Sequence, residues 1–309
     1  MIQTVISTEL PVDEQFLIRK NVYKNGMGKK RLCIVTGTHG DELEGQYICF
    51  RLGEILNAHP EHLDGTVEIY PALNPLGIDS VTRGIPNFDL DMNRIFPGDP
   101  MGSMAESTAY NIVHDLKGAD VVIDIHSSNI FLYEVPQVRI NCLTADTLVP
   151  LAQKLNLDFL WVHEAATVLE STLAYSLNDL NTPTLVVEMG VGMRITQSYG
   201  EQLIAGILNL MQHMGLWNGE VPTLPEHPTI LSTDGEVEFL NAKASGVFIS
   251  LIRQSHYAEA GEIIGRIVDP LRGTVLQEVQ VEEPGFVFTI RTYPVVYEGS
   301  LLARIYRKK

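Results

Sequence analysis

The sequence predicts an α/β fold whose mixed central sheet is flanked by helices, followed by a small all-β domain. From about residue 31 to 215, short apolar runs alternate with longer segments of helical periodicity, a pattern typical of α/β domains. The proline-rich segment NGEVPTLPEHP (218–228) then interrupts the pattern and indicates a linker. Beyond it only short strand-like runs occur, so we expect an α/β domain over 1–221 and a β domain over 222–309.

Four strands are predicted in the first domain, each ending in turn or polar residues. They are RLCIVTGTHG, GTVEIYPALNP, ADVVIDIHSS and PTLVVEM. Their apolar stretches are nearly continuous, as expected for strands that are buried on both faces. Polar residues at the ends of such strands lie at the edge where α/β proteins form their sites.

Helices are predicted between these strands. The segment ELEGQYICFRLGEIL has helical spacing, with Leu43, Tyr47 and Phe50 as its apolar stripe. Ser103 and Glu106 form a capping-box pattern that starts a second helix. A third is predicted over about 198–213.

The second domain consists of strand-like pieces separated by glycine and proline. These are VEFLNA, GVFISLI, IIGRIVDP, GTVLQEVQV, GFVFTIRT and SLLARIYR. The glycine-rich tail resembles a biotinyl or lipoyl carrier barrel, but its turn DPLRG lacks the lysine that such carriers need. A carrier function is therefore disfavoured.

Composition excludes several classes of partner. The formal net charge of −16 disfavours nucleic acid and anionic membranes, which require a cationic face. No apolar run approaches the ~20 residues that span a bilayer, and the first residues lack a signal-peptide pattern. Three scattered cysteines predict reduced thiols, with Cys33 and Cys49 in the core. We therefore expect a cytoplasmic enzyme, and the sequence leaves a homo-oligomer open.

The strongest local signal is THGDE, where a strand gives way to a helix. His39 and Glu42 are three residues apart, so both can reach one metal ion, and imidazole and carboxylate both suit zinc. The pair alone is weak evidence, because a solvated helix start can carry the same residues. His59 and His62 of NAHPEHLDG occupy a polar connection and are predicted to be solvated.

Two further strand ends strengthen the metal hypothesis. His126 ends VVIDIH and would lie beside His39 if the two strands are neighbours. Asp124 is either a group that orients a ligand or a local structural residue. Glu188 of LVVEMG is either a salt-bridged strand-end acid or, near an activated water, a general base with a raised pKa.

Cationic residues occur in the glycine- and proline-rich loop SVTRGIPNFDLDMNRIFPG. Loops of this kind bind ligands more often than they build cores. Arg83 and Arg94 are candidates for carboxylate recognition, because guanidinium groups bind carboxylates with two parallel hydrogen bonds. Taken singly, each is more typical of a surface residue.

Together, these motifs resemble the succinylglutamate desuccinylase and aspartoacylase family, which has a zinc carboxypeptidase-like fold. The motifs are GTHGDE, NP with a following arginine, DMNRIFPG, DIH and VVEMG, over roughly residues 31 to 215. The tail around GEIIGRIVDPLRGTV resembles the β domain of bacterial members.

The resemblance implies a zinc-dependent hydrolase that removes an acyl group from a small N-acylated amino acid or related carboxylate. It implies one zinc ion per chain held by His39, Glu42 and His126. By the same resemblance, Glu188 is the base that shuttles a proton, and Arg83 holds the oxyanion. The substrate carboxylate is then bound by the two residues Asn93 and Arg94.

The sequence departs from aspartoacylases in one segment. In aspartoacylases, arginine contacts before the catalytic glutamate help to complete the pocket for an acidic substrate, but STLAYSLNDLNT, before Glu188, contains no arginine. This departure counts against N-acetylaspartate and succinylglutamate as the substrate. Other pocket candidates are Arg194, Tyr293 and Tyr297. The alternative hypotheses are a metallocarboxypeptidase that trims short peptides, which shares the metal chemistry, and a family member that kept zinc but lost activity.

Overall fold

A computed structural model describes residues 1–86, 88–164, 170–223 and 229–308. The α/β part contains six helices and eight strands among these residues. The helices are α1 (Glu44–Ala58), α2 (Pro75–Ser80), α3 (Met104–Leu116), α4 (Ala145–Ala152), α5 (Leu173–Asp179) and α6 (Gln197–Met214). The strands are β1 (Ile2–Glu9), β2 (Gln15–Asn25), β3 (Arg31–Thr36), β4 (Gly65–Tyr70), β5 (Val121–Ser127), β6 (Leu132–Asn141), β7 (Phe159–His163) and β8 (Thr184–Gly190).

The main sheet is mixed, as the sequence predicts, and its centre is parallel. Strands β4, β3, β5 and β8 lie side by side in that order and run in one direction. Antiparallel neighbours extend the sheet on both sides, β2 and β1 beyond β4 and β6 beyond β8. Because β3, β5 and β8 are parallel, their carboxyl ends share one edge of the sheet.

After residue 221 the described chain forms strands and one short 3₁₀ turn, and all six predicted runs are confirmed as strands. The strands are β9 (Ile230–Thr233), β10 (Val237–Asn241), β11 (Gly246–Ser250), β12 (His256–Ala258), β13 (Ile263–Asp269), β14 (Thr274–Gln280), β15 (Gly285–Arg291), β16 (Val295–Val296) and β17 (Leu301–Tyr306). The linker predicted over 218–228 lies partly outside the described residues.

The C-terminal strands divide between two sheets. Strand β15 pairs with β6, and β17 and β10 follow, so the main sheet continues past the predicted boundary. Strands β14, β13, β11 and β16 form a separate sheet. The boundary at residue 222 stays a prediction, but the pairing carries C-terminal side chains towards the edge of the α/β part.

The helix predictions are confirmed except for one apolar face. The capping box is present, since Ser103 and Glu106 each bind the other's backbone. In α1, however, the predicted stripe is wrong. Phe50 is 60% exposed, and the buried face carries Ile48, Leu52 and Leu56. The helix is rotated relative to the predicted stripe because these aliphatic side chains fill the core against the sheet.

The described cysteines agree with the predicted core. Cys33 and Cys49 are buried, Cys142 is exposed, and all three are free. In the part of the chain that the structure describes, we find no helix long and apolar enough to cross a membrane.

A buried ion cluster ties the N-terminal hairpin to the rest of the sheet. The Lys20 ammonium donates to Glu68 at 3.1 Å, to Asp115 at 2.8 Å and to the Tyr70 hydroxyl at 3.1 Å. Arg31 also donates to Glu68, at 2.8 Å. Strands β2 and β4 and helix α3 are thereby joined through one buried cation.

We expect Lys20→Met to lower the free energy of unfolding by about 2 kcal/mol, measured by urea denaturation. Breaking a buried ion pair commonly costs about 3–5 kcal/mol, and Arg31 still neutralises Glu68 here. The control is Lys30→Met, whose pair with Asp120 is exposed and should contribute within about 0.5 kcal/mol. Equal effects of the two substitutions would contradict a structural role for the buried cluster.

Candidate active site

All seven residues predicted for the site line one cavity of about 420 Å³ at the carboxyl edge of the sheet. Strand β3 leads into the loop with His39 and Glu42, β5 carries His126 next to its last residue, and β8 carries Glu188. The loop after α2 supplies the others. Its residue 87 lies outside the described residues. The seven are His39, Glu42, Arg83, Asn93, Arg94, His126 and Glu188.

The loop between β3 and α1 is fixed by a close approach between backbones. A side chain at Gly40 would overlap the backbone of Gly77, since its Cβ would lie 1.9 Å from the carbonyl carbon. The Glu42 amide donates to the His39 carbonyl at 3.3 Å, which closes the turn. Both side chains thus face the cavity on a rigid loop.

Glu42 lies between the two histidines. Its Oε1 is 2.7 Å from Nδ1 of His39, and its Oε2 is 2.9 Å from Nδ1 of His126. The Ser127 amide also donates to Oε2, at 3.1 Å. Burial raises the pKa of Glu42, but the charges of both histidines outweigh it and leave the pKa below its usual range. The carboxylate is therefore ionised at neutral pH.

This donor set fits a metal ion. One donor atom from each of His39, Glu42 and His126 lies within 4.8 Å of the other two. Nδ1 of His39 is buried and close to Glu42 but makes no hydrogen bond with any described group. Two imidazoles and one carboxylate are a ligand set of catalytic zinc sites, which keep a further position open.

Two aspartates contact the outer ring nitrogens. His39 Nε2 is 3.0 Å from Asp91 Oδ1, and His126 Nε2 is 3.1 Å from Asp124 Oδ2. A histidine that ligates a metal ordinarily has such a carboxylate on its other nitrogen, which fixes the tautomer and the ring orientation. Of the two roles left open for Asp124, this geometry favours the orienting one. Asp91 contacts the candidate site in the same way, and sequence reasoning missed it.

Glu188 faces the same cavity from β8. It lies opposite His126 in the parallel pair β5–β8, which places the carboxylate beside the candidate metal ligands. Burial raises the pKa of Glu188 above its usual range, although the guanidinium of Arg139 opposes the shift. A carboxylate with a raised pKa is suited to accept a proton near neutral pH.

Cationic groups border the cavity on the loop side. Arg83 donates to Glu42 at 2.9 Å and to Asp91 at 3.2 Å, and its side chain is 40% exposed. Asn93 accepts a hydrogen bond from the Leu173 amide at 2.9 Å, which anchors the loop to α5. Arg94 is exposed at the cavity and donates to the Asn93 carbonyl at 2.7 Å. The Arg94 guanidinium is therefore accessible to an anionic ligand, whereas Arg83 lines the cavity while paired with two carboxylates.

Sequence reasoning missed the opposite wall. Glu134, Arg139 and Arg304 line the cavity beside Glu188. The sequence did carry a signal for them, since they are charged residues inside the apolar strands LYEVPQVRIN and LLARIY. Charges at buried positions require partners. Three other candidates are not among the lining residues of the described chain: Arg194, Tyr293 and Tyr297.

The other histidine cluster lies apart from this cavity. His59 and His62 are exposed or half-exposed beside Glu61, in agreement with their predicted solvation. His62 Nδ1 lies 2.8 Å from Asn218 Oδ1.

Residues 28–214 match the succinylglutamate desuccinylase/aspartoacylase catalytic domain. The chain belongs to this family. The match covers β3 to the end of α6 and includes all seven predicted site residues. The family predicted from the motifs is confirmed.

Similar proteins extend over nearly the whole chain. N-alpha-acetyl-L-2,4-diaminobutyric acid deacetylase from Halomonas elongata is 28% identical over 306 residues, covering 94% of this chain and 85% of that protein. The product-bound ectoine utilization protein EutE (DoeB) from Ruegeria pomeroyi matches with a TM-score of 0.82 at 22% identity, covering 98% and 93% of the two chains. A succinylglutamate desuccinylase/aspartoacylase from Rhodobacter sphaeroides gives 0.82 at 24% identity, covering 100% and 95%. These structures confirm the predicted fold class.

Proposed function

We propose that this protein is a zinc-dependent amidohydrolase that removes the acyl group from a small N-acylated amino acid or related carboxylate. The observation that carries the proposal is a single cavity that joins a candidate metal ligand set, a carboxylate with a raised pKa and two guanidinium groups. Family membership and the deacetylase relative support the same class of reaction. A cytoplasmic location also remains our prediction.

His39, Glu42 and His126 would hold the zinc ion. Zinc bound there would supply a Lewis acid that activates water and polarises the scissile carbonyl. Two imidazoles and one carboxylate favour zinc, and other divalent transition metals suit the same donors. Asp91 and Asp124 would keep the ring nitrogens Nδ1 directed at the ion.

Glu188 is assigned the proton transfers. It takes a proton from water as the oxygen adds to the amide carbonyl, and it returns that proton to the amide nitrogen as the C–N bond breaks. The products are a carboxylic acid and a free amine. The raised pKa of Glu188 suits both steps, since the carboxylate must accept the proton and then give it up.

The loop cations are assigned to the substrate. Arg83 would stabilise the negative charge that develops on the carbonyl oxygen, an effect worth about 2.7–4 kcal/mol for one such donor. Arg94 and Asn93 would bind the carboxylate, because a guanidinium fork matches its two oxygens. Glu134 on the opposite wall is already bound by two arginines, so it is not available to a substrate ammonium group.

We expect the zinc-loaded protein to hydrolyse N-acylated amino acids or N-acylated diamino acids and to leave short dipeptides largely intact. A panel of both classes, measured by release of free amine, tests this. Turnover confined to dipeptides would identify a metallocarboxypeptidase instead, and no turnover by a metal-loaded chain would reject the proposal.

Arg94→Met should raise KM for the preferred substrate by about 10-fold or more, because a hydrogen bond to a charged group contributes about 1.5–3 kcal/mol.

A further inference from the structure

A buried carboxylate anchors the wall of the cavity opposite the loop cations. Glu134 of β6 has no solvent exposure and accepts hydrogen bonds from Arg139 Nη2 at 2.8 and 2.9 Å. It also accepts from Gln137 at 3.0 Å and from Nη1 of Arg304. Burying an ionised carboxylate is costly unless it is paired and hydrogen-bonded, and here each oxygen has charged donors.

Arg139 connects this carboxylate to Glu188. Its Nη1 lies 3.3 Å from Glu188 Oε1, while its Nη2 is held by Glu134. In the antiparallel pair β6–β8, Gln137 lies opposite Glu188 and Arg139 lies opposite Val186. The side chains of Arg139 and Glu188 therefore leave the same face of the sheet. One guanidinium therefore touches both carboxylates.

Arg304 comes from the C-terminal strand β17. Glu134 lies opposite Thr289 of β15, and Thr289 lies opposite Arg304, so the ion pair spans three hydrogen-bonded strands. The Arg304 guanidinium also packs 5.7 Å from the ring centre of Trp161 and 5.8 Å from that of Phe239. These contacts fix its orientation within the cavity wall.

The four side chains form a row of alternating charge: Arg304, Glu134, Arg139 and Glu188. Glu134 and Glu188 together balance the two arginines, so loss of either end leaves an unbalanced charge in a buried site. Other charged groups also face Glu188, namely His126 of β5, Glu42 and Arg83. Arg139, by contrast, forms an ion pair with the Glu188 carboxylate.

We propose that Glu134 and Arg304 are positioning residues for catalysis, because they hold Arg139 in the place from which it orients the Glu188 carboxylate. The proposal rests on the proposed role of Glu188 as base. Arginine is a long flexible side chain, and two hydrogen bonds to Glu134 restrict it to one arrangement. A misplacement of about 1 Å at a reacting group can cost about 10²-fold in rate. The C-terminal strands would then set the geometry of a base in the α/β part.

The test compares Arg304→Met with Arg304→Lys and with a matched control, Arg307→Met. Arg307 comes directly after the end of β17 but pairs with Glu238 and Glu283, away from the cavity. We expect Arg304→Met to lower kcat by about 10- to 100-fold. KM should change less than about threefold, metal content should be unchanged, and Arg304→Lys should recover part of kcat. Arg307→Met should stay within about twofold of the wild type.

A purely structural role predicts a different pattern. It would lower the melting temperature of Arg304→Met while kcat of the folded protein stayed at the wild-type value, and this result would overturn the proposal. If Arg304→Met does not fold, Glu134→Gln replaces it and should show the same loss of kcat.

Crystal structures separate this proposal from the proposed function. A lengthened distance between Arg139 Nη1 and Glu188 in Arg304→Met supports positioning even if no panel substrate is turned over, and an unchanged 3.3 Å overturns it. Full activity of Glu188→Gln would instead reject the role of Glu188 as base, on which the proposal rests.

Discussion

Replacing Glu188 with glutamine should lower kcat by about 10²- to 10⁴-fold while the metal content stays unchanged. A general base contributes a factor of this size, and an amide of the same shape cannot accept the proton. The side chain lies in the cavity wall and is not one of the three candidate metal ligands, so its replacement should leave those ligands in place. Steady-state turnover and elemental analysis of the purified variant test both parts of the prediction.

The pH profile supplies a second readout of the same residue. Since burial raises the pKa of Glu188, wild-type activity should fall as the pH drops through that raised value, where the protonated carboxyl can no longer take a proton. Glu201→Gln is the matched control, because Glu201 binds Tyr47 and Arg51 at the surface and should leave kcat unchanged. A Glu188→Gln variant that holds its metal and keeps full turnover would refute the assignment.

The positions of the strands account for how much of the site could be predicted. His39, His126 and Glu188 each follow or end a nearly continuous apolar run, and parallel strands bring their carboxyl ends to one edge. Local sequence patterns were therefore enough to predict both the residue types and their shared location. The loop cations were predicted because glycine and proline indicate exposed chain at such an edge.

The residues that were missed depend on distant pairing. Arg304 contacts Glu134 only because β15 and β17 continue the main sheet beside β6, and strand order cannot be deduced from local patterns. The N-terminal hairpin was missed for a similar reason, since β2 is fixed by its pairing with β4 and by Lys20. Side-chain rotation explains the error in α1, where Phe50 satisfies helical spacing yet faces solvent.

The other large effect is expected from His39→Ala, which should reduce bound zinc well below one ion per chain and lower turnover by several orders of magnitude. The substitution removes one of three candidate protein donors and leaves Glu42 with one imidazole partner. It also leaves Asp91 without the ring nitrogen that it contacts. The activation of water and carbonyl by the ion would be lost with it. Metal analysis after dialysis and turnover at fixed free zinc measure the two effects separately.

His62→Ala is the matched control for this variant. His62 belongs to a histidine–glutamate cluster of the same composition, but its cluster is largely exposed and borders no part of the cavity. The two variants remove the same side chain, so an effect common to any histidine-to-alanine substitution should appear in both. We expect His62→Ala to keep one tightly bound ion and wild-type kcat. If His39→Ala kept its zinc and His62→Ala lost it, the metal site would lie at the surface cluster and the proposed mechanism would fail.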